Sequence, residues 1–438
     1  MRFVYNLIIT LISPVFFLKL LYRSKQAPAY RQRWNERLGF YWTGTRKDGV
    51  IWFHAVSFGE AEAVFPLMKM LKQLYPELPQ LMTTTTLTGS ERVRSVFGDS
   101  IMHMYLPYDL PGAASRFLRH FQPVLGVVVE TEIWPNLYRD CEKMKIPLVI
   151  INARLSERSV RGYKKIPGLV RETLGHVSLI AAQSNDDAKK FLEIGAEQKK
   201  VFMTGNIKFD YPVPDRLRET GYGLRAKLFG PRPVWIAAST HHGEEEQILE
   251  SFESVRAKCK DALLILVPRH PERFDPVIRI CARKGFSVIR RSAGLSCPAE
   301  TSIFLLDSMG ELKQFYATAD LAFIGGSLVK CGGHNVLEAA VLGVPVIFGP
   351  YMDNFRIIAD SLLKAGGAVQ IDNSLNLGLQ VIELLSDERR RHSIGNCGRL
   401  FVEENRGALN NILELLRVHL DESLKRSQKI DFRLRESA

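Results

Sequence analysis

The stretch from residue 321 to residue 355 constrains the fold of this chain more than any other. It begins with a short apolar run that predicts a buried strand, and Gly-Gly-Ser at 325–327 follows where that strand should end. A second glycine pair opens the segment 332–335, a helix is predicted from 336, and 344–348 is typical of the next strand. This order of strand, glycine loop, helix and strand predicts a βαβ unit of an α/β fold.

A βαβ unit with such a loop has the parts of a nucleotide-phosphate site. Glycines let the backbone approach a ligand closely, and a helix N-terminus presents free N–H groups and partial positive charge to a phosphate. Glu338 lies about one turn into the predicted helix, within reach of a ribose hydroxyl pair. A glycine-rich turn occurs in many α/β proteins, but Gly-Pro and Asn-Phe at 349–355 extend the pattern and favour the phosphate site.

Two series of predicted strands alternate with helical stretches, the first between residues 50 and 203 and the second between 234 and 370. Such alternation predicts parallel α/β domains, because parallel strands are joined by crossover helices. We therefore predict two Rossmann-like halves with a ligand cleft between them. Open parallel sheets bind ligands at the carboxyl ends of their strands, where polar residues of this chain gather.

The predicted domain boundaries follow from composition and periodicity. Residues 25–210 form the first Rossmann-like domain and residues 231–405 the second. The segment 211–230 is interpreted as a linker, since it is rich in proline and glycine and lacks strong periodicity. Residues 406–438 are predicted to form an amphipathic helix that packs back across both domains.

Charge is distributed unevenly along the chain. The net charge is +12, and residues 1–210 hold 29 Lys and Arg against 19 Asp and Glu. A basic half suggests an anionic partner, such as nucleic acid, an acidic membrane surface or a phosphorylated substrate. No RNA-recognition or helix-turn-helix signature accompanies the charge, so nucleic acid is not the predicted partner. The six cysteines form no CxxC pair, which indicates reduced thiols in the cytoplasm.

Residues 1–24 are predicted to associate with a membrane. The apolar run at 3–22 is about long enough to span a bilayer, although Pro14 and Lys19 weaken it. The basic residues that follow are typical of a cytoplasmic flank: Arg23, Lys25, Arg31, Arg33 and Arg37. A spanning anchor, a helix lying in the interface and a buried core helix all remain open, in that order of preference.

Three carboxylates of the first half are candidates for chemistry. Glu60 follows a strand-to-helix turn, where a helix N-terminus would keep it ionised and aimed into the cleft as a general base. An ordinary first-turn glutamate is the structural alternative. Glu130 and Glu132 share one face of a strand end and could bind an acceptor or stabilise charge, or one of them could cap the next helix.

The second half carries the candidates for donor binding. Arg269 follows a strand and could pair with a phosphate or carboxylate, unless it belongs to a solvated basic turn. The amides of 309–311 offer a second phosphate or base contact, and 335–338 complete the pocket. The histidines lack metal-ligand spacing and no Asp-x-Asp pair follows a strand, so no metal site is predicted.

With these residues in place, the chain resembles the Kdo transferases, where Kdo is 3-deoxy-D-manno-octulosonic acid. The resemblance covers nearly the whole chain through the ordered motifs HAVSFGE, TTTTLTG, ETEIWPN, NARLSERS, GNIKFD, STHHGEEE, VPRHPER, GGHNVLEAA and GPYMDNF. It implies a GT-B glycosyltransferase fold, inversion at the anomeric carbon and Glu60 as the proton acceptor. It further implies CMP contacts from Pro268, Arg269, Met309, Gly310, Glu311, Asn335, Val336, Leu337 and Glu338.

The resemblance also implies the reaction and its place. Kdo would pass from CMP-Kdo to the 6′-hydroxyl of a lipid A precursor, lipid IVA, in one or more additions, without a metal or other cofactor. The enzyme would work at the cytoplasmic face of the cell inner membrane, held by a single N-terminal anchor. Two alternatives stay open, namely a nucleotide-sugar 2-epimerase of the same fold and a membrane-attached nucleotide-binding regulator without turnover.

Overall fold

The computed structural model describes residues 1–25, 28–42, 49–210, 213, 216–294 and 296–436, and the side chains of 30, 31 and 427–436 lie outside that description. The chain forms two compact units. The first consists of Met1–Asp210 together with Arg406–Ala438, and the second consists of Tyr211–Asn405.

The first unit is built on a seven-stranded, fully parallel sheet with the order β3-β2-β1-β4-β5-β6-β7. Its strands are β1 Ile51–His54, β2 Gln80–Thr84, β3 Met102–Tyr105, β4 Leu125–Val129, β5 Leu148–Ala153, β6 Leu179–Ala182 and β7 Val201–Met203. Its helices are α1 Arg2–Arg23, α2 Trp34–Arg37, α3 Phe58–Leu74, α4 Leu87–Phe97, α5 Ala113–Phe121, α6 Pro135–Lys143, α7 Glu157–Tyr163, α8 Pro167–Gly175, α9 Asn185–Glu193 and, at the C-terminus, α18 Ala408–Glu436.

Both faces of this sheet are covered, which is why its strands are nearly continuous apolar runs. Alternate residues of β1 point to opposite faces, so Ile51 and Phe53 join one core with α3, α4 and α18. Trp52 joins the other core, where its ring meets Phe117 of α5 edge-on at 5.0 Å between centroids. The buried face of α18 therefore belongs to the core of the first unit. Its predicted packing on the second unit remains a prediction.

The second unit repeats this design with a parallel sheet of the order β10-β11-β9-β8-β12-β13-β14. Its strands are β8 Val234–Thr240, β9 Leu263–Pro268, β10 Val288–Arg290, β11 Ile303–Leu305, β12 Leu321–Ile324, β13 Val346–Phe348 and β14 Ala368–Gln370. Its helices are α10 Leu217–Leu228, α11 Glu245–Lys258, α12 Phe274–Arg283, α13 Leu312–Tyr316, α14 Leu337–Ala340, α15 Arg356–Lys364, α16 Ser374–Ser386 and α17 Glu388–Glu404.

Three segments differ from what the sequence predicts. The edge strand β3 has no counterpart among the predicted strands, because Met-His-Met-Tyr lacks the aliphatic run of its neighbours. The segment 87–91 is mostly polar and contains a glycine, which predicts a loop. It instead begins helix α4, which Thr86 caps by accepting a hydrogen bond from the amide of Gly89 at 3.2 Å.

The predicted linker 211–230 is mostly helix α10, which belongs to the second unit. The Arg225 guanidinium of this helix pairs with both oxygens of Asp320, at 2.8 and 2.9 Å. Tertiary contacts thus stabilise a segment whose glycines weaken its helical propensity. Residues 211, 212, 214 and 215 of the predicted linker lie outside the described residues.

Helix α1 runs without a break through Pro14. Proline cannot donate to the carbonyl four residues earlier, and here the Ser13 hydroxyl donates to that carbonyl of Thr10 at 2.8 Å. Among the described helices, α1 has the length and apolar composition that crossing a membrane would need. Core helices of soluble proteins and signal sequences meet the same criterion.

The strand order places the loops that matter for function. In the first sheet the order reverses between β1 and β4, and in the second it reverses between β8 and β12. At such a reversal the connections leave the sheet in opposite directions and open a crevice at the carboxyl ends of the two strands. Each unit therefore has one topological switch point, and predicted site residues follow three of these four strands, namely β1, β4 and β12.

Candidate active site

The switch point of the first unit brings the three predicted carboxylates together. Glu60 lies at the start of α3, directly after the turn that follows β1, and Glu130 directly follows β4. Glu132 lies two residues further along. The charges of these groups affect one another's ionisation, which places Glu60 near both of the other carboxylates. The structure thus gathers residues that are about 70 positions apart in the sequence.

The position of Glu60 is set by hydrogen bonds at the start of helix α3. Ser57 caps helix α3, and its hydroxyl lies 3.4 Å from the Glu60 amide while donating to Glu60 Oε1 at 2.9 Å. The Val56 amide donates to Glu60 Oε2 at 2.7 Å. Both carboxylate oxygens are therefore held in one orientation. The arrangement resembles the Ser-x-x-Glu capping box, except that the amide donor is Val56, the residue before the N-cap. Glu60 is thus a first-turn glutamate of the helix, as the structural alternative expected. The same hydrogen bonds also orient its carboxylate, which a general base requires.

Glu130 adopts a backbone conformation that few residues of its type adopt. Its φ is +62°, in the left-handed region, where a side chain with a Cβ costs free energy. Its carboxylate lies 3.8 Å from the Arg154 guanidinium and 3.6 Å from the Lys208 ammonium group. Asn152 of β5 is also left-handed, at +51°. Such departures concentrate at functional sites, and these two lie at the carboxyl ends of adjacent strands.

The pKa of Glu132 is raised to about 7, and burial is the largest cause. The charges of Glu60 and Glu130 raise this pKa further, whereas a hydrogen bond from the Trp134 indole at 2.8 Å lowers it. Burial likewise raises the pKa of Glu60, and the charge of Glu130 adds to that effect. The hydrogen bonds from Val56 and Ser57 and the charge of Lys208 act in the opposite direction. Carboxylates whose pKa is shifted toward neutrality in this way are suited to proton transfer.

The switch point of the second unit is held by a buried carboxylate that the sequence analysis did not single out. Glu244 lies between β8 and α11 and is fully buried. Its oxygens accept hydrogen bonds from the amides of Gly326, Ser327 and Leu328 at 2.7, 3.0 and 3.0 Å, and from the amide of His241 at 3.2 Å. One side chain thus fixes the loop after β12 to the loop after β8.

This arrangement changes the interpretation of the first glycine loop. Its glycines were expected to let the backbone approach a ligand closely, but the amides of Gly326, Ser327 and the following Leu328 bind the Glu244 carboxylate. The glycines permit close backbone packing within the unit instead. A Cβ on Gly325 would lie 2.6 Å from the carbonyl oxygen of Ser239, a distance that no real side chain tolerates. The Gly-Gly-Ser loop is therefore a structural element beside the predicted donor site.

Three histidines lie near Arg269, a residue predicted to bind the donor. The Nε2 atoms of His241 and His334 lie 2.8 Å apart in parallel rings, and the His270 ring meets His241 edge-on. Burial lowers the pKa of His334 to about 3, and the neighbouring His241 and Arg269 charges lower it as well. A neutral pair of rings can share one hydrogen bond. Arg269 lies close enough for its charge to lower the pKa of both His241 and His334. The structure thus places Arg269 beside the 332–335 loop.

The residues 335–338 lie at the start of α14, but their side chains differ in what they can offer a ligand. Val336 and Leu337 are fully buried in the core, so only their backbone could meet a donor. The Leu337 amide already bonds to Asn335 Oδ1 at 3.1 Å, and the Asn335 side-chain amide lies 3.4 Å from Glu338 Oε1. Helix α14 has only four residues, so its dipole adds little.

Residues Met309, Gly310 and Glu311 follow β11 and precede α13 at the same edge of the sheet. Met309 is 62% exposed, and Gly310 takes a φ of +88° that a side chain would strain. The Glu311 carboxylate pairs with Arg291 at 3.0 Å and accepts from the Ser308 hydroxyl. Pro268 is the last, buried residue of β9. All the predicted donor residues thus follow or end parallel strands of one sheet.

Several residues of these sites escaped the sequence analysis. Glu244 belongs to a run of three glutamates that resembles a solvated helix start, and its position directly after a strand was the available signal. Lys208 and Arg154 are ordinary basic residues in sequence, and only the fold brings them to Glu130. In the described part of the chain, no group of three or more His, Cys, Asp or Glu side chains is arranged to hold a metal ion.

Solved structures identify the class of fold. A glycosyltransferase from Rickettsia africae superposes with a TM-score of 0.53 at 14% identity, covering 86% of this chain and 99% of that one. A UDP-GlcNAc 2-epimerase from Neisseria meningitidis, solved with UDP-GlcNAc, superposes with a TM-score of 0.53 at 15% identity, covering 86% and 100%. At this identity the likeness concerns the fold alone. The chain has the two-unit α/β fold of the GT-B glycosyltransferases.

Sequence relatives identify the family within that class. The family model of 3-deoxy-D-manno-octulosonic-acid transferase (kdotransferase) matches residues 32–211. A 3-deoxy-D-manno-octulosonic acid transferase of Haemophilus influenzae is 42% identical over 425 residues, which are 97% of this chain and 100% of the relative. One from Bordetella pertussis is 34% identical, covering 84% and 86%. The chain belongs to the family of Kdo transferases.

The contacts of Glu244 lead to a first prediction. In Glu244→Gln, one carboxylate oxygen becomes an NH₂ group that faces backbone N–H donors, so at least one buried amide loses its acceptor. We expect the free energy of unfolding to fall by about 1–3 kcal/mol, measured by urea denaturation. Glu250→Gln, an exposed change on the same helix α11, serves as the control. Equal effects of the two changes would mean that the Glu244 contacts contribute nothing to stability.

Proposed function

We propose that this chain transfers Kdo from CMP-Kdo to a lipid A precursor in lipopolysaccharide biosynthesis, with Glu60 as the general base. Membership of the Kdo transferase family supports the donor and the transferred sugar. The single observation that carries the mechanism is the Glu60 carboxylate, held by Ser57 and Val56 at the switch point with a raised pKa. Because a base must be oriented and must have a pKa nearer to neutrality, this group fits the role better than a solvated glutamate.

The proposed reaction is a single displacement. Glu60 accepts the proton of the 6′-hydroxyl of lipid IVA while that oxygen attacks C2 of Kdo. The bond from C2 to the phosphate oxygen breaks, its electron pair leaves with CMP, and the configuration at C2 inverts. Glu130 and Glu132 would bind the acceptor or stabilise charge. Arg154 and Lys208, which lie beside Glu130, add positive charge near a substrate that carries phosphates.

The donor would bind the second unit. Arg269 would neutralise the phosphate of the leaving CMP, and Glu338 would accept hydrogen bonds from the ribose hydroxyl pair. The backbone of Asn335, Val336 and Leu337 and the loop of Met309, Gly310 and Glu311 would hold the nucleotide, next to Pro268. We propose that neither a metal nor another cofactor takes part, and that nucleic acid is not a partner.

We further propose that the enzyme works at the cytoplasmic face of the inner membrane, where helix α1 attaches it to the surface that contains its acceptor. One or more Kdo units would be added. The direct test is incubation of the full chain with CMP-Kdo and lipid IVA, followed by mass spectrometry of the lipid. A gain of Kdo mass supports the proposal. Release of CMP without lipid product, or no turnover at all, would contradict it.

The base assignment predicts the effect of Glu60→Gln. Because the amide cannot accept the proton, turnover should fall by about 10²–10⁴-fold while the affinity for CMP changes little. Glu62→Gln, on the same helix and half exposed in an ion pair with Arg92, provides the matched control. Initial rates with saturating CMP-Kdo measure the effect. A variant that keeps most of its activity would remove Glu60 from the catalytic role.

The raised pKa of Glu60 predicts a pH dependence. Since the base must be ionised, kcat/KM should rise with pH as Glu60 loses its proton. In Glu130→Gln one charge that raises the pKa of Glu60 is gone, so the acid limb of the profile should move to lower pH. The exposed change Glu91→Gln should leave the limb in place. An unmoved limb in Glu130→Gln would show that another group controls it.

The donor assignment predicts the effect of Glu338→Ala. Loss of the acceptor leaves ribose hydroxyls unpaired at a cost of about 1–3 kcal/mol, so the KM for CMP-Kdo should rise about 5- to 150-fold. The KM for the lipid should change little. Calorimetric titration of CMP measures the contact directly, with the exposed change Asp360→Ala as control. Equal CMP affinity in wild type and Glu338→Ala would make Glu338 a structural helix residue.

A further inference from the structure

Helix α1 has two faces that differ in what they contact. One face packs against the rest of the first unit and is wholly or partly buried, at residues 2, 5, 6, 9, 13, 16, 17 and 20. These positions recur at the spacing of one helix side. The other face is exposed and almost entirely apolar, with large side chains at Phe3, Val4, Leu7, Ile8, Leu11, Ile12, Val15, Leu18, Leu21 and Tyr22. The helix is therefore attached side-on, with an apolar strip facing outward.

Polar contacts attach the N-terminal half of this helix. The Arg2 guanidinium donates to Glu172 at 2.7 Å, and the Tyr5 hydroxyl donates to the buried Asp109 carboxylate at 2.8 Å. Asn6 Oδ1 accepts a hydrogen bond from the Asn136 side chain at 2.8 Å. Asp109 also accepts from the amide of Asn136 at 2.9 Å, at the start of α6. Each contact needs the docked helix, because its partner belongs to the folded unit.

Aromatic and aliphatic contacts attach the C-terminal half. The Phe16 and Phe17 rings lie 5.2 and 5.7 Å from the Tyr108 ring, and Phe17 also lies 5.7 Å from Trp34. Leu20 is buried at 6% exposure. The attachments thus extend from residue 2 to residue 20, nearly the whole helix of about 33 Å at 1.5 Å per residue.

A docked helix of this kind cannot cross a bilayer. A helix that spans the bilayer has hydrocarbon on every side. The domain surface that carries Glu172, Asp109 and Asn136 would then either enter the hydrocarbon together with α1 or lose its contacts with the helix. Release would leave Arg2, Tyr5 and Asn6 without these partners in lipid, which is costly. The apolar strip covers only one side of α1, which is the pattern of a helix that lies in a membrane interface.

We infer that α1 lies in the plane of the membrane surface, with its outward strip in the acyl region and its inner face bonded to the first unit. The inference rests on the proposed membrane function and replaces the single-span anchor with an in-plane helix. The occupant of the strip is an anionic lipid surface, because exposed cations lie in and just after its last turn, at Lys19, Arg23 and Lys25.

This orientation links the membrane to the acceptor site. Asn136, which α1 contacts through Asn6, lies two residues after Trp134, whose indole donates to Glu132. The segment that carries Glu130 and Glu132 is therefore bonded to a helix that lies on the lipid. An acceptor embedded in the same surface would meet these carboxylates at a fixed height.

Depth measurements on the full chain test the inference. The three cysteines that are not buried, Cys259, Cys331 and Cys397, are replaced by serine. Nitroxides are then attached to single cysteines placed at outward positions 4, 8, 11, 15 and 18 and at docked positions 9 and 13. The protein is bound to vesicles of phosphatidylethanolamine and phosphatidylglycerol, and power saturation reports the depth of each label.

The outcomes are distinct. An in-plane helix gives equal depth at all outward positions and shallower labels at 9 and 13. A spanning helix gives a single maximum of depth near the middle of the helix on both faces, which would overturn the inference while leaving membrane attachment intact. Labels that show no lipid contact at any position would overturn both the inference and the proposed membrane location, whereas Kdo transfer to detergent-dispersed lipid would still test the reaction.

A second variant tests the strip without labels. Leu11→Asp places a charge at the centre of the outward strip and should weaken vesicle binding by about tenfold or more. Activity on detergent-dispersed acceptor should be unchanged, because Leu11 is 69% exposed and outside the proposed catalytic groups. Leu375→Asp, at a leucine that is 67% exposed in the second unit, is the matched control. Equal vesicle binding by the two variants would contradict the inference.

Discussion

The reversal of strand order at the centre of each sheet is the constraint on which the rest of this structure depends. In both units the first strand of the sheet lies between neighbours whose connections leave in opposite directions, so a crevice opens at the carboxyl ends. Glu60 and Glu130 meet at one reversal, and Glu244 meets the Gly-Gly-Ser loop at the other. Without this topology, residues far apart in the chain would have no reason to be close.

Carboxylates that bind backbone amides recur at these crevices, and their roles differ. Glu244 is fully buried and accepts four amide hydrogen bonds, so it stabilises two loops and has little capacity left for a substrate. Glu60 accepts one amide and one hydroxyl hydrogen bond and remains only partly buried. A capping interaction and a catalytic role are compatible in Glu60, because the bonds that satisfy the helix start also orient the carboxylate.

The sequence predicted most strands and missed some elements for identifiable reasons. Long aliphatic runs such as Leu263–Pro268 predict a buried strand, whereas the sequence of Met102–Tyr105 does not. The latter segment forms an edge strand because it pairs with β2. Helix α10 falls in a segment whose glycines and prolines predict a linker, and contacts such as Arg225 with Asp320 override that local preference. Local propensity is a weak guide wherever tertiary contacts are strong.

The sequence by itself determined the parallel α/β class, the two-fold series of strands and the candidates Glu60, Glu130, Glu132, Arg269 and Glu338. Periodicity and strand-end position suffice for those conclusions, because both are local properties of the chain. Only the tertiary structure decided which groups share a site and which face of each element is available. Lys208 lies close to Glu130, Glu244 binds amides of the Gly-Gly-Ser loop, and one side of α1 is hydrogen-bonded to the rest of the first unit. These facts depend on distances between residues remote in sequence, which no local pattern encodes.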